Sequence, residues 1–362
     1  VGLGCISSVG FSVVSDFIPA HRRGIALSFW GISQAGGAGA GAMLGGTIGA
    51  TQWQLPFFIV AGAGLVFAIL YLFTFEPKRG QTEPELADIF AEGGDYNYPI
   101  QWADIRQIVT RKSNAWLIFQ GFITTLPGGA LFWLSRLYIA RVETMGYTLE
   151  TATIAGNMLS LFFQSGFYFA ILAGYLGDRW QQRDLAGRAR LSLIGLLSAM
   201  PALMIVYLIP LPKLDLPVQG SELEIAVAAV LSIVTNPRMT LVFLIAVVAW
   251  ALTSIHTPNR TALLTDVNLP EHRGTVIGLI AVGIGVGAAV GNALAGSLFG
   301  YLESYVDAPL NYALGLTLFQ LFFIPAAWCS YKTMKTAPTD IRQVQQILRQ
   351  RGAKKAEEVS EL

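Results

Sequence analysis

Apolar positions along this chain run unbroken for too long to be the buried stripe of a soluble helix. Nine such runs stand out, at 1–15, 25–50, 56–75, 115–135, 153–176, 190–210, 239–258, 275–300 and 310–331. About 20 apolar residues in a helix cross the ~30 Å hydrocarbon layer of a bilayer. Each run therefore predicts a spanning helix, and the chain predicts an all-α integral membrane protein with nine spans. The stretch 225–235 is apolar but too short to cross, which places it at the interface or as a re-entrant piece. Charged residues collect in the gaps, chiefly in 76–114 and beyond 332.

The polar gaps contain a repeat. Asp16, Arg23 and Gly24 stand 250 positions before Asp266, Arg273 and Gly274, with Pro19 and Pro270 displaced by one. The helices that follow keep the offset, Gly37, Gly41 and Gly46 matching Gly287, Gly291 and Gly296. An internal repeat inside apolar helices marks two related halves with a site between them. It makes the second span equivalent to the eighth, so the expectation is twelve spans in two pseudo-symmetric halves, with three preceding residue 1. The divisions that follow are 1–75 for the last three helices of a first bundle, 76–114 for an inter-bundle linker, 115–331 for a six-helix bundle and 332–362 for a tail.

Composition agrees that lipid is the solvent: 53% of residues are hydrophobic, 13% charged, and mean hydropathy is +0.53. The net charge of +1 names no partner and gives no footprint for nucleic acid. Its distribution says more. With nine spans, twenty of the 24 basic residues fall on the side of the C-terminus, which makes that side cytoplasmic in a cell (inner) membrane. Arg260 and Arg273 are counted together in one of those loops. In the linker, Trp102, Ile105, Ile108 and Val109 recur at helical spacing, predicting a helix along the membrane surface. The tail is predicted helical over 341–349 and frayed beyond. Cys5 and Cys329 sit in spans and imply neither a disulfide nor a metal site.

Three motifs give the chain a resemblance. The first is the duplicated Asp-to-Arg-Gly loop. The second is Gly174, Asp178 and Arg179 at the end of the fifth span, with a late Gly187-Arg188 pair. The third is the glycine-rich run Gly37 to Gly46, which has Ala42 where an antiporter motif carries proline. Together they are similar to the major facilitator superfamily across essentially the whole chain. Glu76, Pro77, Arg79 and Gly80 after the third span, and Trp102, Asp104 and Arg106 before the fourth, look most like its Spinster-like group. The resemblance implies transport by alternating access, a lipid-like or amphipathic organic solute, and no cofactor. A coupling proton or ion stays open, because the resemblance places coupling residues in first-half helices.

Asp16, Arg23, Asp178, Arg179, Asp266 and Arg273 put both charge signs at cytoplasmic helix ends. Such pairs can bridge the two halves when that side is shut; the plainer reading is that the aspartates cap helices and the arginines fix topology. Gly37, Gly41 and Gly45, and Gly283, Gly287 and Gly291, stand four residues apart and allow close helix packing. A cavity shows as polar residues on one helix face. Asn157, Ser160, Gln164 and Tyr168 form such a face, and Gln120, Thr124, Gln34, Trp250 and Asn292 are further candidates. Gln164, in mid-span, is the strongest of these. His256 reads as a structural histidine.

A secondary transporter of a small organic or lipid-like solute is the expected function. The alternative is a non-transporting receptor on the same fold, which would usually carry a large signalling extension. An enzyme would need clustered nucleophilic or metal-binding groups, whereas His21, His256 and His272 are scattered.

Overall fold

The computed structural model describes residues 2–47, 52–91, 93–217 and 220–360, whose regular elements are all helical, with no strand among them. Three helices come first: α1 (Gly2–Phe17), α2 (Arg23–Thr47) and α3 (Leu55–Tyr71). The linker carries α4 (Ala87–Ala91) and α5 (Trp102–Thr110). Then follow α6 (Lys112–Ala130), α7 (Leu134–Glu143), α8 (Leu149–Phe163), α9 (Ala170–Arg183), α10 (Gly187–Leu208), α11 (Glu222–Thr235), α12 (Pro237–Ser254), α13 (His256–Asp266), α14 (Arg273–Glu303), α15 (Leu310–Phe319) and α16 (Phe323–Ser360).

Several of these join into longer rods. Among the described residues six rods are long and apolar enough to cross a membrane: Lys112–Glu143, Leu149–Arg183, Gly187–Leu208, Pro237–Asp266, Pro270–Glu303 and Leu310–Lys354. The apolar α3, at 17 residues, is shorter. Local chemistry sets the starts. Asn236 caps α12, its side-chain oxygen accepting from Arg238 N at 3.0 Å, with Pro237 in the first turn. Ser221 and Glu224 form a reciprocal capping box on α11, so the 225–235 stretch is a capped 14-residue helix packed on α8 and α12.

The main core lies inside the rods from α6 to α16, around Tyr138, Phe163, Tyr207 and Trp250. Its most extensive seam among the described residues joins α6 to α14. A Cβ on Gly287 would collide with Phe122 O and Thr125, one on Gly291 with Leu126 O, and one on Gly129 with Ala288 O. Gly283 is looser, a Cβ there lying 3.8 Å from Ile118 O. The expectation of glycine packing needs correction in α2: a Cβ on Gly37 or Gly41 would meet nothing within 4 Å, so that spacing forms no seam with the described residues. The surroundings of Gly45 lie outside the described residues.

Two boundaries also differ from the sequence reading. The seventh span continues through α13 to Asp266, which places Arg260 within the helix and not in a loop. The tail does not fray after 349: α16 stays helical to Ser360, and Val344 and Leu348 bury against Leu86, Ile89 and Tyr96 of the linker. In α5 only Ile108 is buried, while Trp102 is 89% exposed.

Candidate functional site

Both copies of the repeat fold alike. Each ends its loop in a 3₁₀ turn, Ala20–Arg22 and Pro270–His272, and each arginine that opens the next helix reaches back eight residues. Arg23 Nη2 donates to Ser15 O at 3.2 Å, and Arg273 Nε donates to Thr265 O at 3.1 Å. The arginines then cross over. Arg23 Nη1 lies 3.3 Å from Asp266 Oδ1, and Arg273 Nη1 lies 3.8 Å from Asp16 Oδ1. Each guanidinium is 1% exposed, so the carboxylates and carbonyls must replace the water it has lost.

Glu83, from the linker, sits between them. Its Oε1 accepts from Arg273 Nη2 at 2.6 Å and, closer still, from Arg23 Nη2. Burial alone would favour the protonated acid. The two guanidinium groups outweigh it and hold this carboxyl at about 2, below its usual 4.5.

A second knot stands beside the first. Arg188 Nη2 donates to Asp178 Oδ1 at 2.6 Å, and its Nη1 pairs closely with Asp266 Oδ2. The Asp178 carboxylate also accepts from Gly24 N at 2.8 Å and Ile25 N at 3.0 Å, the free amides of the first turn of α2. Position 24 needs glycine for this approach, because a Cβ there would come within 2.7 Å of Gly174 O. Arg179 is exposed and forms no ion pair among the described residues, so its expected place in this layer belongs to Arg188.

The tail closes over the same layer. Arg351 Nη1 pairs with Glu271 Oε1 at 2.6 Å, and its guanidinium carbon lies 4.2 Å from the Tyr98 ring centre. Tyr96 donates to the other oxygen of Glu271 at 2.9 Å. Burial and the adjacent Glu271 carboxylate push the Tyr96 hydroxyl upward, which keeps it a donor.

About one helical turn from the charged layer lies a cavity of about 430 Å³. Phe11 and Trp30 line it from α1 and α2, their rings 4.9 Å apart, and Thr257 and Thr261 line it from α13. Three sequence candidates, Gln34, Gln164 and Tyr168, also line it. Gln164 Nε2 donates to Ser160 O at 2.9 Å, leaving its amide oxygen without a partner among the described residues. Gln164 opens a 3₁₀ segment, Gln164–Phe169, where Gly166 lets α12 approach within 2.7 Å of a built Cβ at Ala251 N.

The other candidates lie elsewhere. Gln120 donates to Ser330 Oγ at 2.7 Å inside the bundle, and Thr124 accepts from Arg260 Nη1 at 2.9 Å. Trp250 is core, 4.8 Å from the Phe167 ring. Ser160 is buried, Asn157 is exposed, and Asn292 accepts from Trp133 Nε1 at 3.2 Å away from this cavity. His256 is buried, with Nδ1 2.7 Å from Thr253 O. Glu83 and Arg260 escaped the sequence reading. Glu83 is one acid among several in the linker, and only its contact with both repeat arginines distinguishes it. Arg260 was hidden by a span boundary drawn eight residues short of Asp266. No group of three or more His, Cys, Asp or Glu able to hold a metal occurs among the described residues.

Comparison with known proteins gives the family. The profile described as Major Facilitator Superfamily matches residues 1–218. Multidrug resistance protein MdtG of Dickeya zeae (strain Ech586) is 28% identical over 222 residues, 60% of this chain and 48% of that protein. The chain thus spans about half the length of the curated relative it matches. With a family profile covering more than half of the sequence and six membrane-length apolar rods, this chain is an integral membrane protein that belongs to the Major Facilitator Superfamily.

Proposed function

We propose that the protein is a secondary transporter that moves an amphipathic organic solute by alternating access between two pseudo-symmetric bundles. The observation that carries this reading is the crossed pairing of Arg23 with Asp266 and Arg273 with Asp16 about a shared Glu83, one turn below a cavity. A layer that ties the repeat copies to each other is a two-state element: intact it seals one end, and separated it opens that end. The solute occupies the cavity between α2 and the α8–α9 and α12–α13 rods, where Gln34, Gln164 and Tyr168 meet it. In this reading nine helices of an N-terminal and a C-terminal bundle are present, the charged layer is the cytoplasmic gate, and the C-terminus is cytoplasmic in the cell inner membrane.

Two likenesses support the solute class. The Spinster-like segments around Glu76 and Trp102 imply a lipid-like molecule, and the relative named above is a multidrug resistance protein. Phe11 and Trp30 supply the apolar surface such a molecule needs. The test is uptake into proteoliposomes of the full-length protein across a panel of amphipathic, sugar and organic-anion solutes, with and without a proton gradient. Uptake of an amphipathic solute that falls several-fold in Gln164→Ala, with the fold intact, is expected. Absence of uptake for the whole panel, or uptake indifferent to Gln164→Ala, contradicts the assignment of the cavity.

A further inference from the structure

The rod Leu310–Lys354 has 45 residues, about twice the ~20 that cross a bilayer, so its last part stands clear of the hydrocarbon. Two features mark that part as a separate piece. Pro338 sits inside α16, where it gives no N–H to the helix ladder and weakens the rod at one point. Beyond it Ile341, Val344 and Leu348 form a stripe on one helix face, none more than 4% exposed, while Arg342, Gln346 and Arg349 face solvent.

This piece grips both sides of one ion pair. Val344 and Leu348 pack with Leu86 and Ile89, which follow Glu83 in the 3₁₀ turn Pro84–Leu86 and in α4. A Cβ on Gly352 would lie 2.9 Å from Glu85 O, so tail backbone runs against linker backbone two residues past Glu83. Arg351 Nη1 pairs with Glu271 Oε1 at 2.6 Å, two residues before Arg273. The tail therefore holds the linker just after Glu83 and the second loop just before Arg273, on either side of their 2.6 Å contact. The first loop is held differently: Arg188 Nη2, at the head of the rod Gly187–Leu208, donates to Ala20 O at 2.9 Å. A clasp set in a rod moves only with its bundle, whereas a clasp on the chain end past a proline can lift off alone.

We propose that the tail helix beyond Pro338 is a releasable strap, which keeps Glu83 on Arg273 while the charged layer is shut and lifts away when it opens. This rests on the charged layer being the gate. Leu348 and Arg351 are positioning residues in it, acting through Glu83 and not on the solute. Apolar packing seats the helix. The pair Arg351–Glu271 sets its register, and with the arginine side chain 27% exposed that pair exchanges readily with water.

The test is the rate at which a membrane-impermeant thiol reagent, added from the cytoplasmic side, labels Thr261→Cys in the full-length protein without Cys5 and Cys329. Glu83→Gln in that background is the reference for an open layer. Arg351→Ala is expected to label several-fold faster than the parent with its thermal unfolding unchanged, and Leu348→Asp faster still. Where Leu348→Asp lowers thermal stability, Arg351→Ala alone decides. Because the strap acts through Glu83, adding Arg351→Ala to Glu83→Gln is expected to give no further increase. The inference is overturned if Arg351→Ala labels at the parent rate while Glu83→Gln labels fast, or if Arg351→Ala speeds labelling by the same factor with and without Glu83. In both of those cases the gate itself stands. If Glu83→Gln also labels at the parent rate, the gate fails and the strap with it.

Discussion

The two copies of the repeat share a loop and differ in what holds the helix that follows. In the first, the amides of Gly24 and Ile25 are capped by Asp178, itself paired with Arg188. In the second, the loop is clasped from outside, Glu271 being held by Tyr96 of the linker and Arg351 of the tail. Among the described residues only Glu83 pairs with both arginines. The parts shared by the two copies (turn, arginine, aspartate) therefore build a symmetrical frame, and segments outside the repeat add different contacts to each copy.

That contrast is broken most severely at Glu83. Glu83→Gln leaves two buried guanidiniums short of a counter-charge, and unpairing of this kind costs about 3–5 kcal/mol. The closed arrangement should lose that much against the open one, read as faster labelling of the cavity from the cytoplasmic side and reduced uptake. Arg23→Ala and Arg273→Ala come next. Each is expected to lower uptake, and because they share Glu83, the double variant should cost clearly less than the sum of the singles. Additive effects would mean that the copies act independently.

Asp178→Asn keeps the shape but removes the charge facing Arg188 and the α2 amides, with an expected loss of about 1–3 kcal/mol. Arg179→Ala should stay within about 0.5 kcal/mol of the wild type by thermal unfolding, and equal effects at these neighbours would return both to a role in topology. Gly291→Ala should destabilise by about 1–3 kcal/mol through overpacking against Leu126 O, whereas Gly41→Ala should be neutral. The smallest expected effect is that of pH. Glu83 is depressed from 4.5 to about 2, so its contribution is complete above 4.5 and is lost as pH falls from there through about 2. Labelling attributable to Glu83 should be flat between about pH 5 and pH 8.

Sequence periodicity reached the six membrane-length rods and the spacing of the α14 glycines because each is a local pattern with a fixed period, and matching the chain against itself reached the repeat. It also singled out Gln34, Gln164 and Tyr168, three of the residues that line the cavity. It missed the rest where distance in sequence hides contact in space. Glu83 lies 60 positions from Arg23 and 190 from Arg273. Trp250 and Gln120 are polar enough to suggest a cavity, yet they find neighbours inside the bundle. The helical face from Asn157 to Tyr168 assumed unbroken α-geometry, which the 3₁₀ segment at Gln164–Phe169 interrupts.

The gate is tested most directly by thiol accessibility at Thr261→Cys, on the cavity wall, in the full-length protein without Cys5 and Cys329. A membrane-impermeant reagent is added from the cytoplasmic side to wild-type and Glu83→Gln backgrounds. Slow labelling with Glu83 intact and labelling at least several-fold faster in Glu83→Gln is the predicted result. Equal rates in both backgrounds would contradict the claim that Glu83, shared by the two repeat arginines, shuts this end of the protein.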